Sequence, residues 1–219
     1  MTADVRPRAV IFDLWDTLVE WPAGEAARMR DRIAPLVGVA EEEFGRRWMA
    51  MYRASQTGPL ANAFRVLGVP SEQIAAEVAE RHAFARRALR ARPGTTGVLA
   101  KLRGRGVRLA VLSVCSEEVP ARWPQTELAG LFDAETFSVE CGLMKPEPEI
   151  YLRTAHALGV EPADCLFVGD GANDELDGAQ RVGMTPVLFL PFGATSPWPE
   201  VRGWRGLRVR SMEEVLELC

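Results

Sequence analysis

The sequence predicts an α/β fold, in which a doubly wound parallel sheet has helices on both faces and a helical block is inserted after the first strand. After residue 93, short apolar runs alternate with helical patterns, which is typical of parallel strands joined by crossover helices. From about residue 24 to residue 91, apolar residues recur only at three- and four-residue spacing, which indicates helices. A connection of that length is unusual unless it forms a separate insertion.

Each predicted strand is a short apolar run. The first, AVIFDL at residues 9–14, is continuous and ends in an acidic residue, which favours a strand buried on both faces of a parallel sheet. We expect a sheet core at residues 1–16 and 93–219 and a helical cap at residues 17–92. The later strands are expected at 107–113, 135–139, 164–170 and 185–190, with helices at 95–103, 117–130, 146–158, 174–182 and 211–218.

Composition narrows the classes of partner. With 47% hydrophobic residues the chain can bury a core, and a net charge of −4 gives no drive toward nucleic acid or an anionic membrane. The expected partner is therefore a small molecule, and the sequence leaves the oligomeric state open. The four cysteines have no zinc-site spacing, so we expect reduced thiols. The arginine-containing start and the lack of a long apolar run predict a cytoplasmic location.

Polar side chains stand at or just beyond the ends of the predicted strands. Asp13 ends the first strand, Ser113 ends the second, and Asp170 ends the fourth. Lys145 follows the third strand, and Asp174 comes four residues after Asp170. Because the carboxyl ends of parallel strands open on one edge of a sheet, we expect these groups to converge there.

The chemistry of these groups is complementary. Asp13 is a candidate nucleophile, while Ser113 and Lys145 offer a hydrogen bond and a positive charge to an anionic group under attack. Asp170 and Asp174 offer oxygen ligands to a hard divalent cation, although Asp174 is alternatively the N-cap of its helix. Phosphoryl transfer needs neutralisation of oxygen charge of this kind.

Four segments, FDLWDTL, VLSVCS, GLMKPEPEIY and VGDGANDELDGAQRVGM, together resemble the four motifs of the haloacid dehalogenase-like superfamily, in order. The resemblance implies a Rossmann-like core and a helical cap inserted after the first motif. It also implies that Asp13 is the nucleophile and that Ser113 and Lys145 bind the phosphate. The Mg²⁺ ligands that it implies are Asp13, Asp170, Asp174 and the backbone carbonyl of Trp15.

The sequence departs from this pattern at Trp15, where phosphatases of the family usually carry an aspartate that acts as general acid and base. An indole has no titratable proton near neutral pH, so Trp15 does not fill that role. In one interpretation Asp16 replaces it, and in another the Asp16 carboxylate binds the local backbone. Alternatively, the substrate has a good leaving group, such as an acyl phosphate, or protonates itself. A further interpretation is a dehalogenase, since haloacid dehalogenases of the superfamily have an aromatic residue at this position.

The acidic last motif favours the phosphatase, because dehalogenases of the family work without metal and lack the full acidic pair. The predicted function is therefore a metal-dependent phosphohydrolase, and the alternatives are a 2-haloacid dehalogenase and a binding module that has lost catalysis. Position in the cap makes Trp21, and either Asn62 or Arg65, candidates to line the substrate cavity.

Overall fold

The structure is a computed structural model that describes residues 6–219, and it contains a sheet of six parallel strands. The strands are β1 Ala9–Phe12, β2 Arg108–Ser113, β3 Ala134–Phe137, β4 Cys165–Gly169, β5 Thr185–Phe189 and β6 Leu207–Val209. Their order across the sheet is β3-β2-β1-β4-β5-β6. The predicted doubly wound parallel sheet is confirmed.

Strand β1 is central, and its four apolar residues are fully buried. Val10 and Phe12 face one apolar layer, and Ala9 and Ile11 face the other. Successive side chains of a strand point to opposite faces, so a continuous apolar run is what a strand needs when helices cover both sides.

α-Helices lie in all but one of the connections between the strands, and one helix follows the last strand. Those between β1 and β2 are α1 Ala23–Ile33, α2 Glu41–Ala50, α3 Tyr52–Thr57, α4 Leu60–Leu67, α5 Ser71–Ala88 and α6 Thr95–Gly104. Those that follow β2 are α7 Glu118–Arg122, α8 Ser138–Cys141, α9 Pro148–Leu158, α10 Glu175–Arg181 and α11 Met212–Glu217.

Helices α1 to α5 form the inserted helical block and have an apolar core of their own. Phe44, Leu60 and Phe64 are fully buried in it. The chain enters and leaves this block along adjacent paths, since Val19 pairs with Ala91 in an antiparallel bridge. The block is therefore anchored beside the carboxyl end of β1.

Two local predictions differ from the structure, and one strand was not predicted. The helix expected over 117–130 ends at Arg122, followed by a 3₁₀ turn at Trp123–Gln125, because Pro124 has no N–H to continue the α-helical bonding. The strand expected over 135–139 ends at Phe137, where α8 begins. Strand β6 was not predicted, because it has only three residues, of which one is buried, and so short a run does not indicate a strand.

No helix among residues 6–219 combines the length and the apolar character that crossing a membrane requires.

Gly178 sets the distance between α9 and α10, the helices that carry Tyr151 and Glu175. A Cβ at Gly178 would lie 2.5 Å from the Tyr151 hydroxyl oxygen and 2.9 Å from the Pro146 Cβ. We expect Gly178→Ala to lower the free energy of unfolding by about 1–3 kcal/mol through overpacking, measured by urea denaturation. Gly97→Ala is the matched control: it lies in α6 with open space around it, and we expect stabilisation of about 0.5–1 kcal/mol. Equal effects of the two substitutions would contradict this prediction.

Candidate active site

Three carboxylates meet at the carboxyl edge of the sheet. Asp13 follows β1 and Asp170 follows the neighbouring β4, while Glu175 opens α10. One carboxylate oxygen from each of these residues lies within 4.8 Å of the others. The sequence predicted that Asp13 and Asp170 converge, and the parallel register of β1 and β4 brings them together.

Lys145 lies between two of these carboxylates. Its Nζ is 2.5 Å from Asp13 Oδ1 and 2.5 Å from Glu175 Oε2, and all three side chains are buried. Burial alone would lower the pKa of Lys145, but the attraction of Asp13 and Glu175 outweighs it and raises the pKa above its usual value. Lys145 is therefore a permanent positive charge beside the candidate nucleophile.

Glu175, and not Asp174, joins the cluster. Asp174 is exposed, and its side chain makes no capping hydrogen bond to α10. Asn173 and Asp174 both have left-handed backbone, with φ of 52° and 56°, and this turn directs Asp174 away from the cluster. Glu175 is 1% exposed and accepts a hydrogen bond from the Gly171 N–H at 2.9 Å.

The helical spacing of Glu175 indicates that it faces the core, although not that it reaches Asp13. Glu175 lies three and four residues before Gly178 and Ala179, which are on the buried face of α10. Residues with this spacing share one face of a helix. Gly169 leaves room for the side chain, since a Cβ there would lie 2.2 Å from Glu175 Oε1.

Asp170 is held from two sides. The Ala172 N–H donates to its Oδ1 at 3.1 Å, and the indole N–H of Trp198 donates to its Oδ2 at 2.5 Å. Burial and the nearby Asp13 raise the pKa of Asp170 to about 6. Trp198 belongs to the segment between β5 and β6, and nothing in its local sequence indicates this contact.

Two buried polar atoms at the site have no hydrogen-bond partner among the described residues. They are Oδ2 of Asp13 and Oγ of Ser113, and Ser113 is fully buried at the end of β2. Leaving such an atom unsatisfied costs about 1–3 kcal/mol. Asp13 itself and Val114, the residue after Ser113, line a cleft of the protein.

Asp16 occupies the turn after Asp13 with left-handed backbone, at a φ of 57°. Its Oδ1 accepts a hydrogen bond from the Trp21 N–H at 2.9 Å and lies 3.8 Å from the Arg92 guanidinium. Burial raises the pKa of Asp16. This geometry agrees with the interpretation in which the carboxylate binds local backbone, although Asp16 also lines the cleft. Its service as general acid stays a prediction.

The cleft has a volume of about 450 Å³ and lies between the sheet edge and the helical block. Trp15 and Trp21 both line it, and their rings are packed edge to face at 4.9 Å. Asn62 and Arg65 do not line it. They are exposed on α4, where Arg65 donates to Asn62 at 2.6 Å.

Substitution distinguishes the two neighbouring acids of this loop. We expect Glu175→Gln to weaken activation by a divalent cation by about 10- to 100-fold, as loss of a group that holds or orients a metal ligand does. Asp174→Asn, the matched control, should leave activation unchanged because Asp174 is exposed. The measurement is a Mg²⁺ titration of activity and of the thermal midpoint. A larger effect from Asp174→Asn would reverse the assignment.

Comparisons with known proteins agree with this geometry. A protein-family model described as a haloacid dehalogenase-like hydrolase matches residues 7–183. A curated relative, the glyceraldehyde 3-phosphate phosphatase of Methanopyrus kandleri, is 29% identical over 82% of this chain and 82% of its own length. Two further relatives of that name match over only 43% and 45% of their own length.

Solved structures share the fold. The HAD phosphatase from Thermococcus onnurineus has a TM-score of 0.70 at 23% identity and covers 96% of this chain and 97% of its own. A 2-haloacid dehalogenase from Pseudomonas syringae has a TM-score of 0.68 at 22% identity, covering 97% of each chain. The match of the family model over most of the chain agrees with the convergence of Asp13, Lys145 and Asp170 at the sheet edge. The chain belongs to the haloacid dehalogenase-like hydrolase family.

Proposed function

We propose that this protein is a metal-dependent phosphohydrolase that acts on a small phosphorylated metabolite through an aspartyl-phosphate intermediate. The observation that carries the proposal is the convergence of Asp13, Asp170 and Glu175 around one lysine, at the end of a cleft large enough for a small ligand. The curated relatives with phosphatase names support the same reaction class.

The charges of the cluster suit a divalent cation. Three carboxylates face one ammonium, so two negative charges are uncompensated when all are ionised. Close carboxylates repel each other unless a cation is bound or a proton is shared, and the raised pKa of Asp170 reflects this crowding and its burial. Asp13 also has a buried oxygen without a partner among the described residues. The donors are all oxygens, as Mg²⁺ prefers.

Each residue at the carboxyl edge of the sheet has a separate role in the proposed reaction. Asp13 and Asp170 would hold Mg²⁺, with the Trp15 carbonyl as a further ligand, and the ion would neutralise phosphate oxygens. Lys145 places a second positive charge beside Asp13, and the Ser113 hydroxyl would donate to a phosphate oxygen. Asp13 attacks phosphorus, and water then hydrolyses the aspartyl-phosphate. Glu175 holds Lys145 in position through its 2.5 Å contact.

Trp15 limits the range of substrates. General acid catalysis is worth about 10² to 10⁴ in rate, so a site without it favours leaving groups that depart as stable anions. We do not assign this role to Asp16, because its Oδ1 accepts the Trp21 N–H and lies 3.8 Å from the Arg92 guanidinium. The proposed substrates are therefore phosphates with good leaving groups.

A 2-haloacid dehalogenase is the second candidate, and the aromatic Trp15 in the cleft wall favours it. Its substrate is a carboxylate anion. In a site that works without metal, the uncompensated negative charges around Asp13 would repel that anion. The phosphohydrolase is therefore the stronger candidate.

One paired assay separates these functions. We expect purified protein to release phosphate from an activated aryl phosphate with Mg²⁺, and chelation with EDTA to lower the rate by at least about 10²-fold. Halide release from 2-chloropropionate is measured alongside it. Halide release without metal-dependent phosphate release would replace the proposal with the dehalogenase. If the protein shows neither activity, the binding module is the remaining interpretation.

A further inference from the structure

The cleft has two chemically different ends. Asp13, Lys145 and Asp170 make one end strongly polar. Most of the side chains that the helical block adds to the lining are apolar or aromatic, among them Met29 and Ile33 from α1 and Trp48 from α2. A ligand whose phosphate reaches Asp13 therefore places its leaving group against apolar side chains.

The aromatic part of the lining is held rigidly. Trp15 packs edge to face on Trp21, and Trp21 packs in the same way on the buried Phe84, with centroids 4.9 Å and 5.4 Å apart. The backbone of Trp21 is fixed by its hydrogen bond to Asp16. Trp48 is anchored separately, against Phe64. Aromatic surfaces that are already ordered bind a flat ligand without the additional entropy cost of ordering their own side chains.

The helical block contributes four polar side chains to the lining of the cleft, which are Arg30, Tyr52, Gln56 and Arg81. The guanidinium of Arg81 is mostly buried and donates through one nitrogen to Glu118 at 2.5 Å and to Ser116 at 3.1 Å. Its charge is therefore compensated, while its Nε has no partner among the described residues. Arg30 is the remaining arginine of the lining. Sugar hydroxyls placed against the faces of the indole rings would lose water there without gaining hydrogen bonds from the ring carbons, which costs free energy.

We propose that the substrate is the monophosphate of a planar aromatic alcohol, an aryl phosphate. This inference rests on the phosphohydrolase function proposed above. Two independent features support it: the aromatic lining, which binds the ring, and the absence of an acid at Trp15, which a phenolic leaving group tolerates because phenols have a pKa near 10.

Hydrolysis of an aryl phosphate at this site needs no general acid. A carboxylate oxygen of Asp13 bonds to phosphorus while the bond from phosphorus to the aryl oxygen breaks, and the phenolate departs with the electron pair. Water then attacks phosphorus of the aspartyl-phosphate, which frees the Asp13 carboxylate and gives dihydrogen phosphate. That product supplies the phenolate with its proton through solvent.

Two measurements on the Mg²⁺-loaded full chain test the inference. The first is calorimetric binding of 2-naphthylmethylphosphonate and of methylphosphonate, which cannot be hydrolysed. We expect the aryl compound to bind on the order of 10- to 100-fold more tightly, from burial of its ring. The second is kcat/KM for 2-naphthyl phosphate against phosphoglycolate and glyceraldehyde 3-phosphate, in which we expect the aryl phosphate to exceed both by at least about 10-fold.

Variants of Trp21 test whether the aromatic lining of the cleft causes the preference for aryl ligands. Trp21→Ala should remove most of the aryl preference in binding, and Trp21→Phe should keep it, which guards against an effect of misfolding. Trp204→Phe is the matched control, because Trp204 does not line the cleft and should leave the preference intact.

Two sets of results overturn the inference in different ways. Equal affinity for the two phosphonates, or a higher kcat/KM for either small polar phosphate, rejects the aryl substrate while leaving the phosphohydrolase standing. Release of phosphate from none of the three substrates rejects the phosphohydrolase and this inference with it.

Discussion

Asp13→Asn should abolish phosphate release, lowering kcat by at least about 10⁴-fold. An amide oxygen is a poor nucleophile, and the proposed reaction begins with attack by the Asp13 carboxylate. The change also removes one negative charge from the cluster that would hold the cation. Steady-state hydrolysis of an aryl phosphate measures the loss, and mass spectrometry of acid-quenched wild-type protein should detect phosphate on Asp13.

The protein should remain folded, because Lys145 keeps its 2.5 Å contact with Glu175 when the Asp13 charge is removed. Circular dichroism and the thermal midpoint test this. Asp174→Asn is the control: it removes one carboxylate from the same edge of the molecule, at an exposed position, and should leave kcat unchanged. Near-normal activity of folded Asp13→Asn would refute the covalent mechanism.

Trp15→Asp should extend the activity to alkyl phosphates. A carboxyl group here would supply the missing general acid, and we expect kcat for an alkyl phosphate to rise by up to about 10² to 10⁴. Hydrolysis of an activated aryl phosphate should gain little, because its leaving group needs no proton. A plot of log kcat against leaving-group pKa should therefore be steep for the natural sequence and flatter for the variant.

The pH dependence gives an independent test of Trp15→Asp. The new carboxyl must be protonated to act as an acid, so kcat for alkyl phosphates should fall as pH rises through its pKa, which the negative charge of Asp13 raises. Trp15→Asn is the matched control, with a similar shape and no proton to give. An equal gain with Trp15→Asn would show that removing the indole, and not proton transfer, causes the change.

The sequence alone was enough to predict the fold class and the candidate nucleophile. The apolar run ahead of Asp13 is a local pattern, since a strand covered on both faces has no polar face to interrupt it. The positions of Ser113, Lys145 and Asp170 follow from the same rule, because each comes at or after the end of a parallel strand. The segments that carry these residues also identify the family.

Only the tertiary structure placed Glu175 in the acidic cluster and Asp174 outside it. The two residues are adjacent, and the left-handed backbone at Asn173 and Asp174 decides which of them faces Asp13. Trp198 reaches Asp170 from 28 residues further along the chain, and Arg81 in the helical block bonds to Glu118 beyond β2. Such contacts depend on how distant segments pack, whereas a strand's apolar pattern is set by the local alternation of its own side chains.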